Sequence, residues 1–233
     1  MRQGAVGHVR SVERHGRFLV EKRFADPRRR DTEVLALREL LHQGLPVPEL
    51  VEVGPEAVLM TLMPGERLDA GSADLRLDRL RASTTWLRRL HELRPPGRLP
   101  SAPDDALTAR RYRDAGGPAL PLVVPPAGRP AFCHGDWTDG NLLAVDAGIT
   151  AVLDWEAAHL GDPLRELSRA AWAAARKDPR SFDALVSGYG ADPSAVRAWF
   201  PVHAAELWLW FAGAGPPEYL EQLTRELVRW PDA

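Results

Sequence analysis

One stretch, residues 132–163 (FCHGDWTDGNLLAVDAGITAVLDWEAAHLGDP), constrains this chain more than any other. It carries His134-Gly135-Asp136, with Asn141 following further along the same loop. Two apolar runs come next, 142–145 and 149–153, separated by Asp146-Ala147-Gly148. A three-residue connection ending in glycine between two such runs reads as a β-hairpin. The second run delivers Asp154 at its end, so Asp136, Asn141 and Asp154 gather at the lip of an otherwise apolar segment. Asp and Asn are also common turn residues, and a plain surface hairpin is the competing reading.

Phosphoryl transfer from a nucleotide uses such a set. One carboxylate receives the proton of the attacking hydroxyl, while an amide and a second carboxylate hold Mg²⁺ against the phosphates. Magnesium takes oxygen ligands and is usually held by few protein groups, so one Asn and one Asp suffice.

The stretch resembles the aminoglycoside phosphotransferase and choline kinase branch of the protein-kinase-like fold. That branch runs His-Gly-Asp, four residues, Asn, then a hairpin, then Leu-Asp-Trp-Glu and Gly-Asp-Pro. Residues 134–141, 153–156 and 161–163 match in order and spacing. The resemblance implies a two-lobed α+β fold, a small sheet lobe over residues 1–63 and a mostly helical lobe over 64–233. It makes Asp136 the catalytic base, Asn141 and Asp154 the metal ligands, and Asp162 a structural residue beneath the loop.

The remaining sequence bounds this reading. A chain of 233 residues can bury a full core as one large domain or two lobes. A net charge of −2 gives no argument for nucleic acid or an anionic membrane as partner. The single cysteine, Cys133, cannot form an internal disulfide, which is compatible with a reducing compartment. No N-terminal apolar segment suggests a signal peptide. The richest apolar region, 198–214, is interrupted by Pro201, His203 and Glu206 and is too short to span a bilayer. The expectation is a soluble cytoplasmic protein that binds neither nucleic acid nor membrane.

Near the N-terminus, Gly4, Gly7 and Val9 have the Gly-x-x-Gly-x-Val spacing that closes a kinase glycine-rich loop, and an ordinary turn fits equally. Arg2 stands where the first glycine would fall and only three residues precede Gly4, so the leading strand is expected to be all but missing and nucleotide affinity weak. Residues 17–24 alternate as a strand, with Phe18, Val20, Lys22 and Phe24 on one face. Only two of the 30 basic residues are lysines, Lys22 and Lys177. A compact ammonium at Lys22 suits the space between phosphates, and the resemblance makes it the residue that holds them. A lysine snorkelling from a sheet edge is the alternative.

Asp26-Pro27 opens a helix that runs to Gln43 and stops at Gly44. Its buried stripe is read as Val34, Leu37, Leu40 and Leu41, with Glu33 on the same side. A carboxylate there needs a partner: Lys22 is one candidate, and Arg29 or Arg30 on the helix surface is the other. Strands are expected near 50–53 and 57–62. The following Pro64-Gly65-Glu66 resembles the family's segment after the hinge, which puts the adenine-pairing backbone at residues 61–63, Thr61 and Met63 included.

A helix is expected over 73–93 with Leu77, Leu80, Leu87 and Leu90 inward, and His91 in a structural role at its end. A short helix is expected over 104–114, then others over 164–175, 180–189, 193–212 and 217–230. Trp199, Trp208, Trp210 and Phe211 form an aromatic patch, read as core or as lining for a ring-shaped substrate.

The function these readings support is ATP- or GTP-dependent, Mg²⁺-assisted O-phosphorylation of a small molecule with a free hydroxyl, an aminoglycoside or related antibiotic first. Glu166, Glu206, Glu218 and Glu221 could supply carboxylates to a cationic acceptor, or pair with Arg165, Arg169 and Arg225. A nucleotide-binding module without turnover is the alternative. A kinase acting on protein is disfavoured because the segment between Asp154 and Gly161 is too short for an activation loop.

Overall fold

Residues 7–24 alternate around His15-Gly16, and both of these adopt the left-handed backbone (φ 52° and 72°) that suits a two-residue hairpin turn. In the computed structural model, which describes residues 7–229, they form β1 (Gly7–Arg14) and β2 (Arg17–Phe24), paired along their full length. β3 (Leu50–Val53) and β4 (Ala57–Thr61) complete an antiparallel sheet in the order β1-β2-β4-β3. β4 reaches along β2 only from Leu19 to Arg23. That explains one departure from expectation: Phe18 lies beyond β4 and is 64% exposed, while Lys22 and Phe24 are buried.

Helix α1 (Pro27–His42) follows β2, with the Asp26 side chain accepting the Arg28 amide as N-cap. Its buried arc is Glu33, Val34, Ala36, Leu37 and Leu40. Leu41, expected in that arc, is exposed, and Ala36 replaces it. The reason is that α1 packs against a 3-10 turn at Trp155–Ala157 as well as against the sheet, which shifts its inward face.

The remainder contains β5 (Glu66–Arg67), α2 (Ala73–Glu92), α3 (Asp105–Asp114), β6 (Ala131–Cys133), β7 (Leu142–Val145), β8 (Gly148–Val152) and β9 (His159–Gly161). Helices α4 (Pro163–Ala175), α5 (Arg180–Tyr189), α6 (Pro193–Arg197), α7 (Phe200–Ala214) and α8 (Pro217–Val228) complete it. The helix expected over 193–212 is two helices, because Pro201 lacks an amide hydrogen and suits only a first turn. The β7–β8 turn is tighter than read: Gly148 pairs with Val145, and Asp146 takes the left-handed conformation (φ 51°).

The main core joins Leu37 and Leu40 of α1 to Leu87 of α2, Leu142 and Val152 of the hairpin, and Leu167 of α4. A separate cluster of Tyr112, Trp208, Leu223 and Leu227 binds α3, α7 and α8 together. On α2 the buried positions include Arg79, 1% exposed, while Leu77 is only half-buried. The Arg79 guanidinium donates to the carbonyls of Ala70 (2.7 Å) and Asp146 (2.6 Å), so it ties the hairpin turn to the helix. No helix among the described residues is long and apolar enough to cross a membrane.

Candidate active site

Buried strand β6 carries the chain into His134, and the next peptide turns at Gly135 with φ 86°. A side chain at Gly135 would overlap the Ala157 carbonyl, so both conformation and space demand glycine. The His134 ring is fully buried, Nδ1 accepting the Asp136 amide (3.1 Å) and Nε2 donating to the Leu153 carbonyl (2.8 Å). It lies 4.4 Å from the Trp155 ring. His134 is thus a brace between the loop and the end of the hairpin.

Asn141 donates through Nδ2 to the Asp136 carbonyl (2.9 Å) and to Asp136 Oδ2 (2.8 Å). Its own carbonyl accepts the Leu153 amide (2.8 Å), one residue before Asp154. Asn141 is therefore bonded directly to Asp136, and its backbone fixes the residue that precedes Asp154. With Nδ2 so committed, Asn141 Oδ1 is left for a cation. Asp154 adopts a left-handed backbone (φ 63°, ψ 65°), unusual for a residue other than glycine and about 1–3 kcal/mol uphill.

Lys22 closes the array from the sheet. Lys22 is 6% exposed, and its ammonium forms ion pairs with Glu33, with Asp154 (2.6 Å) and with Glu156 (3.1 Å). Burial alone would lower the Lys22 pKa, but Glu33 and Asp154 outweigh it and raise it, so the ammonium stays charged. Burial pushes the Glu33 carboxyl up to about 7 against the pull of Lys22. The partner of Glu33 is thus Lys22, while Arg29 pairs instead with Glu156 (2.9 Å). Glu156 had no role in the sequence reading; its only signal was its place two residues after Asp154.

The residue beneath the loop is also different from the one expected. Asp162 caps α4, accepting the amides of Leu164 (2.7 Å) and Arg165 (3.2 Å), and takes the Gly128 amide on its other oxygen. The loop amides are held by Glu166, which accepts from His134 N (3.0 Å) and Gly135 N (2.5 Å). His91 Nε2 bonds the same carboxylate (2.8 Å) and its Nδ1 meets the Tyr189 hydroxyl (2.7 Å). Burial raises the Glu166 pKa, but His91, His134 and the Gly135 amide outweigh it and hold the carboxyl at about 2. Glu166 therefore supports the loop and is no cleft carboxylate. Asp139, unremarked in the sequence, fixes the loop's far side through Arg76 (2.9 Å) and Lys177 (2.9 Å).

Gly7, expected in a phosphate-covering loop, is instead the first residue of β1 and pairs with Phe24, because the alternation that defines the strand begins there. Gly4 lies outside the described residues. Thr61 ends β4, exchanging bonds with Glu49 through its amide (2.9 Å) and hydroxyl (2.9 Å). Met63 follows, half-buried, with its sulfur 3.8 Å from the Thr61 hydroxyl. The chain then packs on the hairpin, where Thr150 donates to the Pro64 carbonyl (2.6 Å).

Beside Asp136 opens a cleft of about 880 Å³ between α4, α7 and α8, lined among others by Thr138, Trp172, His203, Glu206 and Trp210. Of the aromatic patch, Trp199 and Trp208 are core residues and Trp210 faces this cleft.

A small antiparallel sheet whose lysine pairs with a helix glutamate, set on a helical body whose hairpin presents Asp, Asn and Asp, is the protein-kinase-like architecture of small-molecule phosphotransferases. Residues 8–199 match the sequence model of the phosphotransferase enzyme family, and the chain belongs to that family. A search of curated proteins returns no match. Among solved structures, the chain is similar to the macrolide 2'-phosphotransferase MphH of Brachybacterium faecium at 20% identity and a TM-score of 0.67, covering 96% of this chain and 89% of that one. It is similar to an aminoglycoside-3'-phosphotransferase of type VIII at 23% identity and 0.66, covering 88% and 91%. For the apo form of a thermostable mutant of aminoglycoside phosphotransferase APH(4)-Ia the values are 17% and 0.69, covering 99% and 93%. At these identities the likeness is one of fold.

Proposed function

We propose that this protein transfers the terminal phosphoryl group of ATP or GTP to a hydroxyl of a small molecule, an antibiotic of the aminoglycoside or macrolide kind that its structural relatives are named for. The observation that carries this reading is the Asp136–Asn141–Asp154 array joined to Lys22 across two separate parts of the fold. Residues 1–63 serve the nucleotide, and residues 64–233 serve catalysis and the acceptor.

The acceptor hydroxyl lies in the cleft against Asp136. Asn141 holds Oδ2 of that carboxylate, which leaves Oδ1 to take the proton as the acceptor oxygen attacks phosphorus. The new O–P bond forms as the bond to the nucleoside diphosphate breaks, and the proton remains on Asp136. Asn141 Oδ1 and the half-exposed Asp154 carboxylate are hard oxygen donors that suit Mg²⁺, and these two residues would hold it. When bound, the ion supplies charge neutralisation at the phosphates. Lys22 contributes the remaining positive charge, Glu33 keeps its ammonium in place, and backbone at Thr61 and Met63 meets the base.

Asp136→Asn tests the central assignment, because it keeps shape and removes the proton acceptor. The expected result is a normally folded protein that binds Mg²⁺–nucleotide and has a kcat lower by about 10²–10⁴-fold. A variant retaining more than half of the wild-type kcat would remove Asp136 from the role of base. Stabilisation by nucleotide with no turnover of any hydroxylated acceptor would instead favour a nucleotide-binding module.

A further inference from the structure

We propose that the acceptor is a hydroxylated ring compound of low net charge, whose apolar body packs on Trp172 and Trp210, and not a polycation. This deepens the proposed function and rests on the cleft beside Asp136 being the acceptor site.

The charge of the cleft wall decides the class. Its cations are Arg169, Arg176 and Lys177, and its carboxylates are Asp136, Glu206 and Glu226. Each carboxylate already has a partner. Glu206 accepts from Arg169 (3.1 Å) and Arg165 (3.4 Å), Glu226 from Arg176 (2.6 Å) and Gln222 (3.0 Å), and Asp136 from Asn141. Burial raises the Glu206 pKa, but His203 and the two guanidiniums outweigh it and hold the carboxyl at about 2. Of the four carboxylates that could have served a cationic acceptor, Glu166 sits beneath the loop and Glu206 is paired, while Glu218 and Glu221 do not line the cleft. The cations are paired as well, Arg169 with Glu206, Arg176 with Glu226 and Lys177 with Asp139, so cations and carboxylates balance on this wall and nothing there draws in a molecule with several ammonium groups. Ammonium groups desolvated against such a wall gain no counter-charge in return.

The apolar side of the cleft points the same way. Trp172, Leu207 and Trp210 line it, and Trp210 is 49% exposed although it sits on the most apolar helix of the chain. An indole left half open beside the catalytic loop is a ready surface for a ring. His203 is a buried polar side chain of this wall that has no partner. It is 2% exposed, lines the cleft, and neither ring nitrogen has a hydrogen-bond partner; the nearest carboxylate oxygen, on Glu206, is 3.8 Å away. Burial lowers its pKa and favours the neutral ring, whose donor and acceptor match hydroxyl, ether or carbonyl groups; both nitrogens are buried, so a ligand reaches them only when the side chain turns into the cleft. The volume of about 880 Å³ accommodates a drug-sized molecule.

Calorimetry with two probes tests this: erythromycin, a macrolide of low charge, and gentamicin, a polycation. Titrations use protein saturated with Mg²⁺ and AMP-PNP. Binding of that nucleotide is measured first, since its absence would sink the phosphotransferase reading as a whole. With nucleotide bound, erythromycin is expected to bind about tenfold or more tightly than gentamicin. Trp210→Ala should weaken erythromycin by about tenfold, and Arg169→Ala with Arg176→Ala, which takes one cationic partner from each of Glu206 and Glu226, should strengthen gentamicin by about tenfold. Gentamicin binding as tight as erythromycin in the unmodified protein would overturn the inference and leave the phosphotransferase reading intact. So would failure of the unmodified protein to bind erythromycin at all. The ranking in the unmodified protein needs no variant, so a misfolded double variant leaves the test standing.

Discussion

Lys22 shows how much one side chain can be asked to do. Its ammonium faces Glu33, Asp154 and Glu156, and its removal would leave Glu33 buried without a counter-charge. Breaking a buried pair from one side typically costs about 3–5 kcal/mol, whereas replacing both partners by apolar groups is often neutral. Lys22→Ala should therefore lower the urea midpoint strongly and weaken nucleotide binding by about tenfold or more. Lys22→Met combined with Glu33→Leu should recover the stability and not the nucleotide affinity. If the double variant regained both, Lys22 would be a packing residue and its proposed contact with phosphate would fall. Lys22→Arg should not substitute, because a planar guanidinium cannot reproduce a compact ammonium between three carboxylates.

At the scale of the element, the β7–β8 hairpin works because its ends are bound to their surroundings. The Asn141 carbonyl accepts the Leu153 amide, His134 donates to the Leu153 carbonyl, and Arg79 holds the turn at Asp146. Asn141→Ala and Asp154→Ala should each raise the Mg²⁺ concentration needed for nucleotide binding, since each deletes an oxygen ligand. Titrating nucleotide at several Mg²⁺ concentrations measures this, and an unchanged metal dependence in both would move the metal off the hairpin. Asp154→Gly carries a second expectation. It removes the ligand but relieves the left-handed backbone, so it should be less destabilising than Asp154→Ala, by about 1 kcal/mol.

For the whole molecule, acid stability follows from two carboxylates, Glu166 buried and Glu206 half-buried. Glu166 and Glu206 both have pKa values held at about 2, below the ordinary carboxylate range. A depressed pKa stabilises the fold above the unfolded-state value and loses that stabilisation as pH falls through the folded value. Each shift corresponds to roughly 3 kcal/mol, a large share of a typical total of about 5–15 kcal/mol. Urea unfolding at pH 7, 4 and 3 should show stability falling steeply below about pH 4.5. Glu166→Gln should flatten that slope and already be destabilised at pH 7, because an amide oxygen cannot accept from two loop amides and His91 as a carboxylate does. A wild-type stability that stayed level from pH 5 to 3 would contradict both shifts.

What the sequence by itself determined was local. Spacing within one loop and hairpin placed Asp136, Asn141 and Asp154 together, since a short connected backbone leaves few alternatives. Alternation and helix periodicity put Lys22 and Glu33 on the inward sides of their elements, but Arg29 or Arg30 stayed rival partners until the fold paired Glu33 with Lys22. Packing between distant segments decided the rest. In sequence Asp162 and Glu166 are both acids at the start of α4; only the fold shows that one caps the helix while the other reaches the loop amides. Glu206 and the arginines around it read equally well as a cationic-substrate site or as ion pairs, until α4 and α7 came side by side and closed them on each other. Periodicity says which face of an element turns inward; which charges meet there depends on how faces far apart in the chain come to pack.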